Sequence, residues 1–376
     1  MNNVSKMKGC YGCGVCNMAC PKNIISIKLN ADGFYEPEVD NSLCIECGLC
    51  LSVCAYNDDN ISLPEKRVEI KSYASWSKND KVRYDCSSGG IGFEIGKYLL
   101  ENGYKACGVR YNAHSKRAEH FIAYEPKEYL ASIGSKYIQS YTVDAFSQVN
   151  KKEKYLITGT PCQIDSFRRY IKKFKVEDNF VLMDFFCHGV PSMLMWEKYL
   201  KSIENQTGNI HSVSWRDKQF GWHDSWAMNI SGEKSNHFSL FTKGNLFYKF
   251  FLSDTCLGKA CYDKCKYKLA KSSADIRIGD LWGNTYRHNE EGVSGLIVFS
   301  ERGKEIIENM QICKLQEITT EIVTEGQMKH SPSKMFSPYI IKKLKSKKTI
   351  ESISKHLMLV TLLRRINRKI KTIITR

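Results

Sequence analysis

Apolar residues in the middle of the chain come in short runs, separated by longer segments with helical periodicity. Five runs have the length and composition of strands: 104–110, 121–124, 155–158, 180–186 and 276–279. Three segments carry apolar residues at helical spacing: 91–101, 165–174 and 193–203. The run 180–186 is apolar at nearly every position, as expected for a strand buried on both faces. The alternation of strands and helices predicts an α/β domain built on a mixed sheet.

Both ends of the chain differ from this middle. Residues 1–62 are rich in cysteine, and Pro64 with the charged residues 65–67 indicates a linker after them. From about residue 331 the pattern changes again, and 350–373 has apolar positions at helical intervals with Lys and Arg in its last turns. We therefore predict three units: a small α+β module over 1–62, the α/β domain over 63–330, and a basic amphipathic helical tail over 331–376.

Composition changes this picture mainly through charge. The chain has 376 residues, 42% of them hydrophobic, which is enough for two or three domains with proper cores. Its formal net charge of +16 is uneven, because residues 341–376 hold twelve Lys or Arg and one acid. No nucleic-acid recognition motif accompanies this charge, so we predict no nucleic-acid partner. A basic amphipathic helix can bind an anionic membrane surface, dock an acidic redox protein, or pack on its own domain.

The sequence also bears on location. The first twelve residues have no apolar core, so we expect no secretory signal peptide, and no run of about 18 apolar residues predicts a membrane span. The chain has 16 cysteines, which in a reducing compartment serve as metal-bound thiolates rather than disulfides. We expect a cytoplasmic protein, with peripheral contact at the inner face of the membrane through 341–376 as a further hypothesis.

Eight cysteines lie in two identical runs near the N-terminus. The first run is Cys10, Cys13, Cys16 and Cys20, and the second is Cys44, Cys47, Cys50 and Cys54. Each reads C-x2-C-x2-C-x3-C, and each cysteine of the second run lies 34 residues after its counterpart, which indicates an internal duplication. This spacing is typical of a two-cluster 4Fe-4S module in which the fourth cysteine of each run binds the other cluster.

The predicted ligand sets are therefore crossed. One 4Fe-4S cluster would be held by Cys10, Cys13, Cys16 and Cys54, and the other by Cys20, Cys44, Cys47 and Cys50. The alternative is a pair of zinc sites. Zinc motifs usually come as separated C-x2-C pairs rather than doubled quartets, so we favour iron–sulfur clusters.

A serine–glycine turn precedes the first predicted helix of the α/β domain. Ser87, Ser88, Gly89 and Gly90 lie just before the segment 91–101. A helix that opens this way offers free backbone N–H groups and the positive end of its dipole, which suits a phosphate or pyrophosphate. The alternative is an ordinary capped helix, because serine is a favoured N-cap residue.

Two further cysteines follow predicted strands. Cys162 comes after the strand 155–158, and Cys187 comes after 180–186. In open α/β sheets ligands bind beyond the carboxyl ends of the strands, so these cysteines indicate a site, although a lone buried cysteine is usually core filler. With Cys261 and Cys265 they would supply four thiolates for a third 4Fe-4S cluster, with Cys256 in reserve. We expect Cys86, Cys107 and Cys313 to be structural.

An aromatic and basic stretch, residues 211–230, contains Trp215, Phe220, Trp222 and Trp226 beside Arg216 and Lys218. We expect a hairpin that buries about half of these rings in a core. The other half are candidates to wall a flat aromatic cofactor or an anionic substrate.

These motifs together resemble a known family. Beyond the doubled cysteine module, they are CSSGG at 86–90, GTPCQI at 159–164, FFCHGVPS at 185–192, RDKQFGW at 216–222, the Cys261–Cys265 pair, and ADIRIGDLWG at 274–283. In number and order they look like the coenzyme F420 hydrogenase/dehydrogenase beta-subunit family, in the subgroup with an N-terminal ferredoxin domain. The resemblance covers about residues 5–300.

The resemblance implies an α/β flavoprotein that binds FAD and an additional 4Fe-4S cluster. It maps the family's phosphate-facing turn onto Ser87, Ser88, Gly89 and Gly90, and its cluster cysteines onto Cys162, Cys187, Cys261 and Cys265. The last two are separated by three residues, where the family usually has C-x-x-C. Similar proteins also accompany cell-surface polysaccharide enzymes in bacteria that lack the deazaflavin coenzyme.

We therefore expect an iron–sulfur flavoenzyme that passes electrons between the clusters and a flavin, and on to a deazaflavin or another small-molecule acceptor. A ferredoxin or another redox protein would be its partner. His188 and Asp280 are candidates for proton handling or flavin contacts. One alternative is a non-catalytic electron-transfer subunit that docks on a partner oxidoreductase. The other is an interaction protein with structural clusters.

Overall fold

The computed structural model describes residues 2–374, with side chains described as far as residue 363. The N-terminal module consists of two short helices, α1 (Val15–Ala19) and α2 (Leu49–Ser52), and a hairpin of β1 (Ile25–Leu29) and β2 (Tyr35–Val39). Each helix begins after a glycine that lies between the second and third cysteine of its run. Gly14 has φ +74° and Gly48 has φ +69°, a left-handed conformation that favours glycine. The duplicated sequence thus gives duplicated backbone turns.

The rest of the chain forms one large sheet and one small sheet. The large-sheet strands are β3 (Arg67–Ser77), β4 (Lys105–Asn112), β5 (Arg117–Ala123), β6 (Ser140–Tyr141), β7 (Tyr155–Thr158) and β8 (Phe180–Phe185), followed later by β12 (Ile276–Asp280), β13 (Ser294–Ser300) and β14 (Cys313–Ile318). The small sheet comprises β9 (Ile210–Ser214), β10 (Ala227–Gly232) and β11 (Asn236–Leu240).

Strand order in the large sheet brings parallel strand ends together. The order is β14-β3-β13-β12-β8-β7-β4-β5-β6. The central strands β12, β8, β7 and β4 are mutually parallel, whereas β13 and β5 flank them antiparallel. The sheet is therefore mixed, as the sequence predicts, and its parallel centre gives a single carboxyl edge on which ligands can assemble.

Helices cover both faces of this sheet and pack on the small sheet. In chain order they are α3 (Asp80–Asp85), α4 (Ile91–Glu101), α5 (Pro126–Tyr129), α6 (Val143–Phe146), α7 (Pro161–Lys173), α8 (Met193–Thr207), α9 (Leu246–Phe251), α10 (Lys259–Asp263), α11 (Glu301–Asn309), α12 (Thr320–Thr324), α13 (Ser337–Leu344) and α14 (Ile350–Ile374).

The apolar strand β8 is buried on both faces, as its sequence predicts. Val181 and Met183 pack with residues of α4 and α11 on one side. Phe180 and Leu182 pack on the other side, with α7 and with the N-terminal module. The alternation of the pleat thus joins one strand to two cores, and one of these cores fixes the module to the α/β domain.

Buried polar groups strengthen the contact between the module and α7. The side chain of Asp165 is fully buried and accepts hydrogen bonds from Ser62 N at 2.9 Å and from the Tyr267 hydroxyl at 2.7 Å. Ser166 Oγ accepts one from Ala55 N at 3.2 Å. Because a buried carboxylate is costly without partners, these bonds favour a single docked position for the module.

Some element boundaries differ from the predicted ones. The helix predicted from 165 begins at Pro161, because proline suits the first helical position and Thr160 forms a capping box with Gln163. Cys162 therefore lies in the first turn of α7 rather than in a preceding loop. The strand predicted over 121–124 begins earlier, at Arg117, and α8 continues to Thr207 before Gly208.

The first apolar residues of the C-terminal tail are buried in the protein's own core. Seven of them lie in the core that also holds α8 and α9: Ile340, Ile341, Leu344, Ile350, Ile353, Leu357 and Val360. Another face of α14 leaves Met358, Leu359 and Leu362 more than half exposed. The basic side chains predicted for the last turns, from Arg364 onward, lie outside the described side chains. Within residues 2–374, no helix has the length and apolar character that crossing a membrane requires.

Candidate functional site

The first cysteine cavity lies in the N-terminal module. It has a volume of about 360 Å³ and is lined by Cys10, Cys13, Cys16 and Cys54. Cys13 and Cys16 are buried, whereas Cys10 and Cys54 are partly exposed. The backbone N–H of Gly12 donates to Cys10 Sγ at 3.1 Å. Three cysteines of the first run and the last cysteine of the second run therefore line one cavity. This is one of the two crossed ligand sets that the sequence predicts.

The second cysteine cavity holds the complementary set. It is lined by Cys20, Cys44, Cys47 and Cys50, with Asn3 covering one side. Asn3 Nδ2 donates to Cys44 Sγ at 3.2 Å. Cys50 is buried, whereas Cys47 is exposed. This cavity therefore reaches the surface of the module.

The third cysteine cavity is assembled from distant elements. Cys162 and Cys187 follow the adjacent parallel strands β7 and β8, and Cys261 and Cys265 come from α10 and the loop after it. All four line one cavity of about 670 Å³. The chain between the last two includes the end of α10 at Asp263. Cys256 is fully buried elsewhere and does not line this cavity.

The chemistry of these donors fits a multi-iron group. Burial raises the pKa of the Cys54 thiol to about 11 and that of Cys187 to about 12, so these thiols need a cationic group to become thiolates. Among residues 2–374, no three His, Cys, Asp or Glu side chains converge closely enough to share one metal ion. The four thiols of each set instead line one cavity, as ligands to separate irons of one cluster must. The second cavity, at about 20 Å³, is much smaller than the first and the third.

A fourth cavity, the sheet-edge cavity, lies beyond the carboxyl ends of the central strands. It has a volume of about 450 Å³ and adjoins the third cysteine cavity, because both are lined by Cys187, His188, Tyr267 and Lys268. On its other side, the third cysteine cavity is lined by Cys10 and Tyr11, which also line the first. Three cavities therefore adjoin in a row, from the module to the edge of the large sheet.

The serine–glycine turn forms one wall of the sheet-edge cavity. Ser87, Ser88 and Gly90 line it, and α4 begins directly after Gly90, which has φ +90°. Gly89 lies behind the wall, where its N–H donates to Ser294 Oγ at 2.9 Å. N–H groups in the first turn of a helix have no intrahelical acceptor, so this wall can bind an anion.

Asp280 organises an aromatic wall of the same cavity. Its carboxylate accepts hydrogen bonds from Arg216 Nη1 at 3.0 Å and from Trp222 Nε1 at 3.2 Å. The buried Arg216 guanidinium lies 5.0 Å from the ring centroids of both Trp226 and Trp282. Burial alone would lower the pKa of Arg216, but the facing carboxylate holds it above its ordinary value. Asp280 is therefore engaged in positioning this wall.

The aromatic stretch divides between core and cavity. Trp215 and Trp222 are buried, Trp226 lines the sheet-edge cavity, and Phe220 is exposed. The prediction that about half of these rings enter a core is confirmed.

His188 lies where the third cysteine cavity meets the sheet-edge cavity. Its Nε2 is 2.7 Å from Asp254 Oδ1, and its ring centroid is 4.7 Å from that of Phe251. A histidine held by a carboxylate at a cavity wall can accept or donate a proton, which keeps His188 among the candidate residues.

Sequence models of known families match most of the chain. The model for the N-terminal part of "Coenzyme F420 hydrogenase/dehydrogenase, beta subunit" matches residues 72–147, and the model for its C-terminal part matches 152–323. "4Fe-4S dicluster domain" matches residues 9–57. The chain belongs to the coenzyme F420 hydrogenase/dehydrogenase beta-subunit family. Its N-terminal module is a 4Fe-4S dicluster domain, so the predicted family and fold class are confirmed.

Two curated relatives match part of this beta-subunit-family chain. One, "Coenzyme F420-dependent sulfite reductase" of Methanocaldococcus jannaschii, is 28% identical over 45% of this chain and 26% of its own length. The other, a subunit of "F(420)H(2) dehydrogenase" of Methanosarcina mazei, is 24% identical over 42% of this chain and 47% of its own length. The chain thus spans less than half the length of either relative.

A solved structure gives a weaker likeness. It is described as "Xenon derivatization of the F420-reducing [NiFe] hydrogenase complex from Methanosarcina barkeri". One of its chains aligns with a TM-score of 0.47 and 17% identity, covering 79% of this chain and 93% of that one.

Several cavity residues of this family member do not stand out in the sequence. Lys136 and Tyr137 line the sheet-edge cavity, and the Tyr137 ring stacks on Trp226 with centroids 5.5 Å apart. Burial lowers the pKa of Lys136 to about 7. These two residues lie in a loop without periodicity, so no sequence signal marks them. Lys268, in contrast, follows Cys265 by three residues, and this closeness to a candidate ligand is a signal that marks it.

Proposed function

We propose that the protein is an iron–sulfur flavoprotein oxidoreductase that passes electrons between the N-terminal clusters, a third cluster and a flavin. The observation that carries this proposal is the row of three adjoining cavities. Cys10 and Tyr11 line both the first and the third cysteine cavity, and Cys187 and Lys268 line both the third cysteine cavity and the sheet-edge cavity. Redox groups in such a row would be neighbours.

The dicluster match supports the two N-terminal clusters, and the cavities suggest the ligands of each. In this proposal one cluster is held by Cys10, Cys13, Cys16 and Cys54 and the other by Cys20, Cys44, Cys47 and Cys50. The third cluster is held by Cys162, Cys187, Cys261 and Cys265. Cys162 lies in the first turn of α7, where the helix dipole favours a thiolate.

The sheet-edge cavity would hold the flavin, with FAD as the proposed form. A bound flavin would convert single electrons from clusters into the electron pairs that hydride chemistry needs. The turn at Ser87, Ser88 and Gly90 with the start of α4 would bind a phosphate of the cofactor. The rings of Trp226 and Trp282 offer flat apolar surfaces, and Arg216 and Asp280 hold them in place.

The acceptor beyond the flavin is proposed from the family. The names of the family and of both relatives contain coenzyme F420, which favours this deazaflavin over other small molecules. An acceptor in cell-surface polysaccharide metabolism is the alternative within the same reaction class. His188, held by Asp254 at the wall of the cavity, would move the proton of the hydride reaction.

A second candidate function is that of an electron-transfer subunit without its own substrate. One relative is named as part of a multi-subunit dehydrogenase, and Cys47 of the second cysteine cavity is exposed, so a redox partner could approach closely there. A stable complex with an oxidoreductase, and no turnover by this chain alone, would support this function over the first.

The proposed location is cytoplasmic. The buried face of α14 between 350 and 360 packs in the protein's own core, so it is not available to a membrane. Peripheral contact would have to use the exposed Met358, Leu359 and Leu362 and the basic residues that follow. Binding of the whole protein to anionic vesicles, compared with neutral ones, tests this contact.

The proposal is tested by analysing anaerobically purified protein for iron, acid-labile sulfide and released flavin. Three clusters of four irons predict about twelve irons and twelve sulfides per chain, with one FAD. About eight irons without flavin would contradict the flavoprotein and favour the electron-transfer subunit. Zinc in place of iron would contradict both. If FAD is present, reduction of the deazaflavin by the loaded protein is the next assay.

A further inference from the structure

Lys268 lies in the wall between the third cysteine cavity and the sheet-edge cavity and lines both. Its Nζ donates to the carbonyl oxygen of Cys187 at 2.8 Å and to that of His188 at 3.3 Å. It also lies 3.2 Å from Met328 Sδ. Three contacts therefore hold the ammonium group inside the wall, beside a candidate cluster ligand.

The second feature of Lys268 is that no opposite charge lies beside it in the part of the chain that the structure describes. Among the described residues, no carboxylate forms an ion pair with this lysine. Four of the acids that line the two cavities pair with other residues: Asp184 with Arg277, Asp280 with Arg216, Asp263 with Lys334 and Asp32 with Lys345. Lys266, two residues earlier, turns the other way and pairs with Asp165 at 3.3 Å. Lys268 is thus an uncompensated cation between two cavities.

We propose that Lys268 is a positioning residue that sets the reduction potential of the cluster held by Cys162, Cys187, Cys261 and Cys265. This inference rests on the proposed function. Reduction adds one electron to such a cluster, with no bond made or broken, and so increases its negative charge. A nearby cation stabilises the reduced state, and does so more strongly away from bulk water. Lys268 therefore raises the potential, which draws electrons from the module toward the sheet edge.

The test compares variants that separate the charge from the hydrogen bonds. Lys268→Gln keeps an N–H donor for the two carbonyls but removes the charge, whereas Lys268→Arg keeps the charge. Lys259→Gln is a matched control, because Lys259 lines the same cavity but is exposed to solvent. Each whole protein is titrated anaerobically while the cluster signals are followed by electron paramagnetic resonance, which resolves the one-electron steps.

In Lys268→Gln we expect one of three steps to move to a more negative potential while the other two stay at their wild-type values. Lys268→Arg and Lys259→Gln should keep all three. Three steps at wild-type potentials in Lys268→Gln would overturn the inference and leave the proposed function standing. An equal shift in Lys268→Arg would also overturn it, because charge would not be the cause. If the wild-type protein showed only two one-electron steps and about eight irons, both this inference and the proposed function would be overturned.

Discussion

The N-terminal module and the third cysteine cavity are built in opposite ways from the same residue type. In the module, most ligands of a set come from one run of eleven residues, and two glycine turns shape the loops. In the third cavity, four cysteines come from three stretches, 162, 187 and 261–265. They meet because β7 and β8 end side by side and because the segment before α10 pairs with the loop after Cys187. The first arrangement depends on local sequence, and the second depends on the whole domain.

The most direct way to break this comparison is to remove a ligand of the third set. We expect Cys265→Ser to lower the iron content from about twelve to about eight per chain, because one four-iron cluster is lost while the module keeps its two. Iron and sulfide analysis with electron paramagnetic resonance checks this. Cys256→Ser is the control, since Cys256 is buried but does not line the cavity, and it should keep all the iron. Equal losses in the two variants would contradict the assignment.

The dependence of the third cysteine cavity on the whole domain can be tested by breaking a buried ion pair. Arg277 on β12 donates to Asp184 on β8 at 2.7 Å through Nε, and through Nη1 to the carbonyl of Tyr267 at 3.0 Å. Both charged side chains are fully buried. Arg277→Met would leave Asp184 without its partner, so we expect a loss of about 3–5 kcal/mol in the free energy of unfolding.

Urea unfolding measures this loss, and iron analysis shows which clusters remain. Arg277→Met should remove iron from the third set of cysteines more readily than from the module, because Arg277 also binds the loop that carries Lys268. Lys81→Met removes an exposed pair with Asp85 and should change stability little. If Arg277→Met emptied the module and spared the third set, the comparison between the two regions would be wrong.

A third prediction concerns the pH dependence of stability, which a buried histidine of the α/β domain should cause. His120 is buried against Phe146, and burial lowers its pKa to about 4. The unfolded chain, with an ordinary pKa near 6.5, takes up a proton first as pH falls, so stability is lost below pH 6.5 and is constant above it. From pH 7 to pH 5 the expected loss is about 2 kcal/mol.

Urea midpoints across this pH range test the prediction, with His120→Gln as the comparison. The variant should lose most of the pH dependence, whatever its own stability. An unchanged slope in His120→Gln would assign the effect to other groups.

The smallest expected effect lies at the contact between the two regions. The Tyr11 hydroxyl donates to the carbonyl oxygen of Lys264 at 2.5 Å, which links the module to the loop that carries Cys265. Tyr11→Phe keeps the ring and removes this bond, so we expect a loss of about 1 kcal/mol in urea unfolding. Iron content should not change. Loss of iron from either region would mean that this contact does more than join them.

The same contrast explains what the sequence could predict. The two cysteine runs have the spacing that is typical of a two-cluster 4Fe-4S module, so the crossed grouping that lines the first two cavities could be predicted from the sequence. The strands around Leu182 and Ile278 follow from apolar periodicity. Pairing of distant residues has no local signal, so Lys136, Tyr137 and the Arg277–Asp184 pair emerge only from the fold. Apolar periodicity places the start of α7 too late, because it does not register the preference of Pro161 for a first helical position.

The two halves of the duplicated module also face different surroundings. The atoms nearest to a side chain at Gly14 would belong to Thr142 and Val143 of the main domain, whereas those nearest to one at Gly48 would belong to Asn2 near the chain start. Cys47, in the half that faces outward, is exposed. Oxygen reaches exposed thiolate ligands first, so we expect damage in air to begin at the second cysteine cavity and to proceed inward. The order in which the cluster signals disappear should then show how far oxygen damage in a sample has advanced.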